Sequence, residues 1–257
     1  MEKLINTGKY LFAIAIGAFG LLEIVTGSTP GEFMPLPKEM PGSSLLAYIT
    51  GIIFIVAGAL ILLGKMAKTA ATSVGLLFII LLLYPRLPSL LSEIRNPNQW
   101  VAFLETLSCG CGAFILADKE LADARFMLSW NRLIHKTAIV GCYLFAVALF
   151  IFGVQHIMYE KFIVKLMPDW IPGKLYWSHL VKIAFITTAI SIILNFKTRL
   201  VATLAGLMFL SWVLIHHAPR VAADTTKEAE WTSLFVAMAM SGICFLIAGR
   251  KRIKFRY

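Results

Sequence analysis

Seven ionisable side chains interrupt the long apolar runs of this sequence: Glu23, Glu105, His156, His179, Lys182, His216 and His217. The pair His216 and His217 closes one such run, in the stretch LIHHAPR. Imidazole titrates near neutral pH, accepts and donates hydrogen bonds, and ligates metals. Neutral imidazoles on two helices at equal depth could bind haem iron axially, or hold copper or zinc. No close-spaced ligand motif accompanies these histidines, so no metal site is assigned. A quinone head group asks for less: one or two hydrogen-bonding side chains under an apolar groove, with a titratable pair to carry its protons. A quinone is therefore favoured over haem. The candidate cofactor-binding residues are His156, His216, His217, His179, Glu105 and Glu23, and no residue is assigned a catalytic role. Simpler roles compete. His179 and Lys182 lie within two turns of a span end, where such side chains reach the interface, and a histidine at a helix C-terminus can bond the last carbonyls.

The elements that must position these residues are membrane spans. Of 257 residues, 59% are apolar and 15% charged, against about 25% charged in an ordinary soluble domain. Such a chain lacks the polar surface that water requires. Runs of about 18–22 apolar residues occur at 10–27, 44–64, 68–84, 100–117, 138–158, 177–195, 199–218 and 231–249. In lipid the backbone must satisfy its own hydrogen bonds, so each run is read as a helix. The first run lacks the small-residue cleavage site of a signal peptide and is read as a retained span. On this placement the seven groups fall in the outer third of the membrane, where charge is costly unless it faces protein or water.

The chain also repeats itself. FGLLEI (Phe19 to Ile24) returns as FGVQHI (Phe152 to Ile157) 133 positions on, and FMPLPKEMPG (Phe33 to Gly42) returns as LMPDWIPG (Leu166 to Gly173) with two residues lost. From there the offset is 131 without a gap, pairing Gly75 with Gly206, Pro88 with Pro219 and Trp100 with Trp231. Two four-helix units in tandem are expected: residues 1–117, a linker at 118–137, and 138–257. Each has an even number of spans, so both lie the same way up, unlike inverted-repeat transporters. The repeat exposes an asymmetry. Glu23 falls on His156, Tyr48 on His179, Pro85 on His216 and Arg86 on His217, so all four outer histidines belong to the second half. A general preference for the interface would affect both halves alike, which favours a site built by the second half.

Fifteen of the 24 Lys and Arg residues lie on the side that carries both termini and eight on the other, with Lys182 inside a span. The positive-inside rule then makes both termini cytoplasmic. The net charge of +10 is concentrated beside spans, notably in the tail RKRIKFR from Arg250. Anionic lipid is its natural partner, and nucleic acid is excluded. Four cysteines show no disulfide pattern; SCGCG (Ser108 to Gly112) lies mid-membrane, where small residues permit close helix packing. MPDWIPG cannot form helix, and is expected to be a fixed outer turn, a rigid connector in preference to a lid over a pocket.

FGVQHI, LMPDWIPG, GLMFLSWVLIHHAPR (Gly206 to Arg220) and the terminal pattern of Glu230, Trp231, Ser241, Gly242 and Leu246 to Gly249 resemble the DoxX-like membrane family, within the DoxD-like group. The first half looks like a diverged copy, and together they cover 10–249. The resemblance implies a bacterial cytoplasmic (inner) membrane protein associated with quinone-linked redox processes; it carries over no catalytic residues. The expected fold is all-α, with eight transmembrane helices in two tandem four-helix bundles and cytoplasmic termini. The expected function is a membrane subunit of a redox-associated system that binds a quinone-like or lipid molecule, with lipids and other membrane or redox proteins as partners. The alternative is a non-enzymatic scaffold or accessory protein.

Overall fold

A computed structural model describes residues 2–31, 33, 35, 42–121 and 129–250. Most of FMPLPKEMPG, the basic side chains Lys38 and Arg125, and the tail beyond Arg250 lie outside the described residues.

Among the described residues eight helices are long and apolar enough to cross a membrane. They are α1 (Glu2–Thr26), α2 (Ser43–Leu62), α3 (Ala67–Ser92), α4 (Pro97–Lys119), α5 (Ser129–Met158), α7 (Lys174–Leu194), α8 (Thr198–Ala223) and α9 (Glu228–Ala248). A short helix, α6 (Glu160–Leu166), lies between α5 and α7. The architecture is that of an all-helical, multi-pass membrane protein.

Two helices outrun their apolar runs. α3 and α8 were expected to end near Pro85 and Pro219, because proline removes a donor and clashes with the carbonyl four residues back. Each instead passes through one π turn, Leu82–Arg86 and Val213–His217. There the Leu87 N–H bonds to Leu82 O and the Ala218 N–H to Val213 O, five residues back. The wider turn lets the helix run on past the prolines, to Ser92 and Ala223.

The two π turns are 131 residues apart, and other features keep the same offset. Gly64 and Asn195 are left-handed, as are Met66 and Lys197 two residues later. The Trp100 indole N–H donates to Ile94 O at 2.8 Å, and that of Trp231 to Thr225 O at 3.0 Å. A Cβ on Gly75 would strike the Phe114 ring, and one on Gly206 the Phe245 ring.

Packing does not divide at the linker. α1 lies against α2 and α9, while α5 lies against α7 and α4. Each half therefore lends its first helix to the last helix of the other. α4 and α9, the most buried of the eight, also meet each other, with Gly112 against the Ile243 side chain. α1 and α9 cross where Gly8 and Gly242 touch backbone to backbone; the corresponding crossing of α5 and α4 joins Gly141 to Cys111. Where these helices end, Asp118 accepts from His135 at 2.7 Å and pairs with Arg250 at 2.9 Å, and Lys9 pairs with Glu120 at 3.0 Å.

A methyl group on Gly242 would sit 2.8 Å from both Gly8 O and Phe12 N, and backbone cannot move aside as a side chain can. Gly242→Ala is expected to cost about 1–3 kcal/mol and to lower the melting temperature in detergent. Gly17→Ala, whose Cβ would meet nothing within 4 Å, is expected to leave melting unchanged or raise it slightly. Equal melting of both variants would contradict the close crossing.

Candidate functional site

A cavity of about 470 Å³ lies at the end of the bundle away from the termini, walled by α5, α6, α7, α8 and α9 of the second half and by α4 of the first. Its walls are apolar, with Phe152, Phe185, Phe209, Trp212, Met208 and Met240 among them. Among its polar groups are Glu105 from α4, Gln155 and His156 from α5, His216, His217 and Arg220 from α8, and Ser233 from α9.

Helix geometry explains the convergence. His156 lies one turn beyond Phe152 on the same face of α5, and its Nδ1 lies 2.9 Å from Phe152 O. A carbonyl only accepts, so Nδ1 carries the proton and Nε2 is the acceptor. The His156 ring also stands edge-on to Phe185 at 5.2 Å. His216 and His217 are consecutive, and a regular α-helix would spread them about 100° apart. Both fall in the π turn of α8 and both border the cavity, with ring centres 4.8 Å apart.

Arg220, one turn on, donates to His216 Nε2 at 3.2 Å and to Glu230 Oε1 at 2.7 Å. A guanidinium has no lone pair to offer, so His216 Nε2 accepts and its proton sits on Nδ1. The Nδ1 atoms of His216 and His217 are buried without a hydrogen-bond partner in the protein. Such groups are seldom left unpaired. His156 Nε2 is thus an acceptor at the cavity edge, whereas the Nδ1 atoms of His216 and His217 are closed off from it.

Four of the six sequence candidates, His156, His216, His217 and Glu105, border this cavity. Glu23 does not. It is buried in the first half, where the Thr50 hydroxyl donates to its Oε2 at 2.7 Å. His179 lies on the α7 side of α6, with its Nδ1 3.0 Å from Glu160 Oε2, and Lys182 donates to the same oxygen. Sequence reasoning missed the aromatic walls, Gln155 and the Arg220–Glu230 pair. The i, i+4 spacing of His216 and Arg220 could have flagged the guanidinium; nothing in sequence spacing could have flagged Glu230, which arrives from α9.

Among the described residues no three His, Cys, Asp or Glu side chains converge in a way that could hold a metal ion. All four cysteines are free and buried. MPDWIPG forms the turn between α6 and α7. Met167 and Ile171 point inward and are buried, Trp170 is exposed, and Met167 borders the cavity. Asp169 pairs with Lys174 at 2.6 Å, which holds its carboxyl below the usual range. Comparison with protein-family models, with curated proteins and with solved structures finds no match for the chain.

α6 carries Phe162, Ile163 and Leu166 to the cavity mouth. Its first residue, Glu160, is tied to α7. The Lys182 ammonium, and then His179, hold the Glu160 carboxyl below its ordinary value of 4.5. A depressed carboxylate stabilises the folded contact above its unfolded pKa, and that contribution is lost as pH falls through the folded value. The protection factor over 160–166, the intrinsic exchange rate at each pH divided by the observed one, is therefore expected to be high above pH 4.5 and to fall on further acidification. Glu160→Gln should show low protection that does not change with pH. A pH-independent protection factor in the wild type would refute the tether.

Proposed function

We propose that this chain is a protein of the bacterial cytoplasmic membrane with both termini on the cytoplasmic side. It is built from two tandem four-helix units of the DoxX-like kind and binds a quinone-like or lipid molecule in the cavity of its second half. The excess of Lys and Arg on the side that carries the termini supports that orientation. The shared offset of 131 in π turns and left-handed turns supports the duplication.

The observation that carries the binding role is the convergence of three histidines and a carboxylate on one aromatic-walled cavity. Its volume lies within the roughly 300–1,000 Å³ typical of small-molecule sites. The walls suit a ring or an apolar tail. His156 Nε2 can accept from a hydroxyl, and the Arg220 guanidinium, which borders the same cavity, can donate to a carbonyl oxygen. That complementary pair supports a ligand whose oxygen atoms alternate between these states, as those of a quinone and its quinol do. Glu105 beside them supplies a second titratable group for the accompanying protons.

Trp212 stands edge-on to His216 with ring centres 5.4 Å apart, so it reports directly on the cavity. A short-tailed benzoquinone added to the detergent-purified protein is expected to quench its fluorescence at saturation. His156→Ala and His216→Ala should each weaken binding about tenfold, the equivalent of one hydrogen bond of about 1.4 kcal/mol, with unchanged melting temperature. The same preparation should show an ultraviolet reduced-minus-oxidised change without a visible haem band. Unaltered binding in both variants would remove these histidines from the site. No binding at all, together with a partner that co-purifies, would favour the scaffold.

A further inference from the structure

We infer that the first half holds a second copy of the same site, filled by the protein's own Phe33, and that this ring marks where a planar ring sits in the second-half cavity. The inference deepens the binding role proposed above and rests on it.

Both halves build the same three-ring wall. Phe54 and Phe78 lie 5.4 Å apart at 31°; their counterparts 131 residues on, Phe185 and Phe209, lie 5.4 Å apart at 30°. Phe19, 133 residues before Phe152, completes the first set. The first half has a fourth ring. Phe33 stands edge-on to Phe19 at 4.7 Å and to Phe78 at 5.3 Å and is 1% exposed. Its sequence counterpart is Leu166, which borders the cavity and is 46% exposed. The missing ring leaves its mark on the walls: Phe19, Phe54 and Phe78 are 0, 0 and 1% exposed, but Phe152, Phe185 and Phe209 are 7, 7 and 9%.

The divergence starts at one residue. Gly27 ends α1 in a left-handed conformation with φ of 62°, which a residue with a side chain adopts only at a cost. The chain then turns back over the bundle. Ser28 donates to Glu228 at 3.0 Å, and Arg86 donates to Gly31 O and to Gln99 Oε1, so the segment carrying Phe33 is pinned from two helices. In the second half Gly27 is replaced by Glu160, which starts α6, and Arg86 by His217. The segment stays helical at the rim and delivers no aromatic ring to the place that Phe33 takes, Leu166 being 46% exposed there. Edge-to-face packing between aromatic walls selects flat rings over flexible chains, because each wall presents the ring's π face or rim at a fixed separation. The ligand class is a single six-membered ring with a polar substituent that reaches His156 and Arg220, and an acyl chain is the disfavoured occupant.

The test uses the whole protein in detergent and fluorine NMR with two probes, para-fluorophenol and a terminally fluorinated octanoate. Wild type is expected to give one protein-bound para-fluorophenol signal and to bind the octanoate at least tenfold more weakly. Leu166→Phe transplants the plug at an exposed position and should abolish the bound signal without loss of melting temperature. Phe33→Ala should add a second bound signal. Should that variant fail to fold, Leu166→Phe still decides. Retention of wild-type phenol binding in Leu166→Phe would overturn the inference. Tight binding of the octanoate with none of the phenol would also overturn it while leaving the cavity a ligand site. Binding of neither probe would overturn both.

Discussion

Inside a bilayer, lipid tails are as apolar as leucine, so burying greasy side chains no longer draws helices together. Close packing must do so, and it depends on how near two backbones can come. Here the decisive approaches are at Gly8 with Gly242, Gly20 with Gly51, and Gly141 with Cys111. The first and third are the same crossing seen once in each half. They join α1 to α9 and α5 to α4, and so bind each half of the chain to the other. The inner pair α4 and α9 then acts as a common spine, with Gly112 and Ile243, counterparts in the repeat, touching near its centre. Part of the site is carried by this spine: Glu105 on α4, and Glu230 on α9 holding Arg220, which donates to His216.

A duplicated frame lets one half specialise while the other keeps the frame stable. The first half fills its interior with its own chain. Phe33 completes an aromatic cluster, and Glu23, a costly group in that setting, is satisfied by Thr50. The second half places Val181 where Thr50 would be, and His156 where Glu23 would be, and leaves the space open. Polar side chains then border a cavity without filling it. The pair Ser89 and Gln99, which share a 2.9 Å hydrogen bond, becomes Arg220 and Glu230, a 2.7 Å ion pair. The same backbone thus supports a neutral contact on one side and a charged one on the other.

Much of this was legible in the residues. Eight spans followed from run length alone, because a helix in lipid cannot be much shorter than the hydrocarbon it crosses. The repeat followed from Pro, Gly and Trp at one offset. The grouping of His156, His216 and His217 followed from equal depth. Depth, however, says nothing of direction around a helix axis, and so Glu23 and His179 were grouped with residues they do not face. The π turns were hidden because proline ordinarily signals a stop, and only the widened hydrogen-bond ring lets the helix run on. α6 was hidden because its seven residues are too short to show a period. The cavity itself depends on a side chain that is missing, Phe33 having no aromatic counterpart at Leu166, and an unfilled space leaves no direct trace in a sequence.

The crossing of α1 with α9 also bears on how the protein is made. A ribosome delivers helices to the membrane in order, so the first helix leaves the tunnel long before the ninth. Until α9 arrives, the Gly8 face of α1 has only lipid against it. The partner of the earliest segment is therefore the latest, and the sequence separation between them spans almost the whole chain. Closure of the α1–α9 seam therefore waits for the last span. A nascent chain halted after its fourth span would be an inserted but open half-shell, with its glycine seams on α1 and α4 uncovered and available to the quality-control machinery of the membrane.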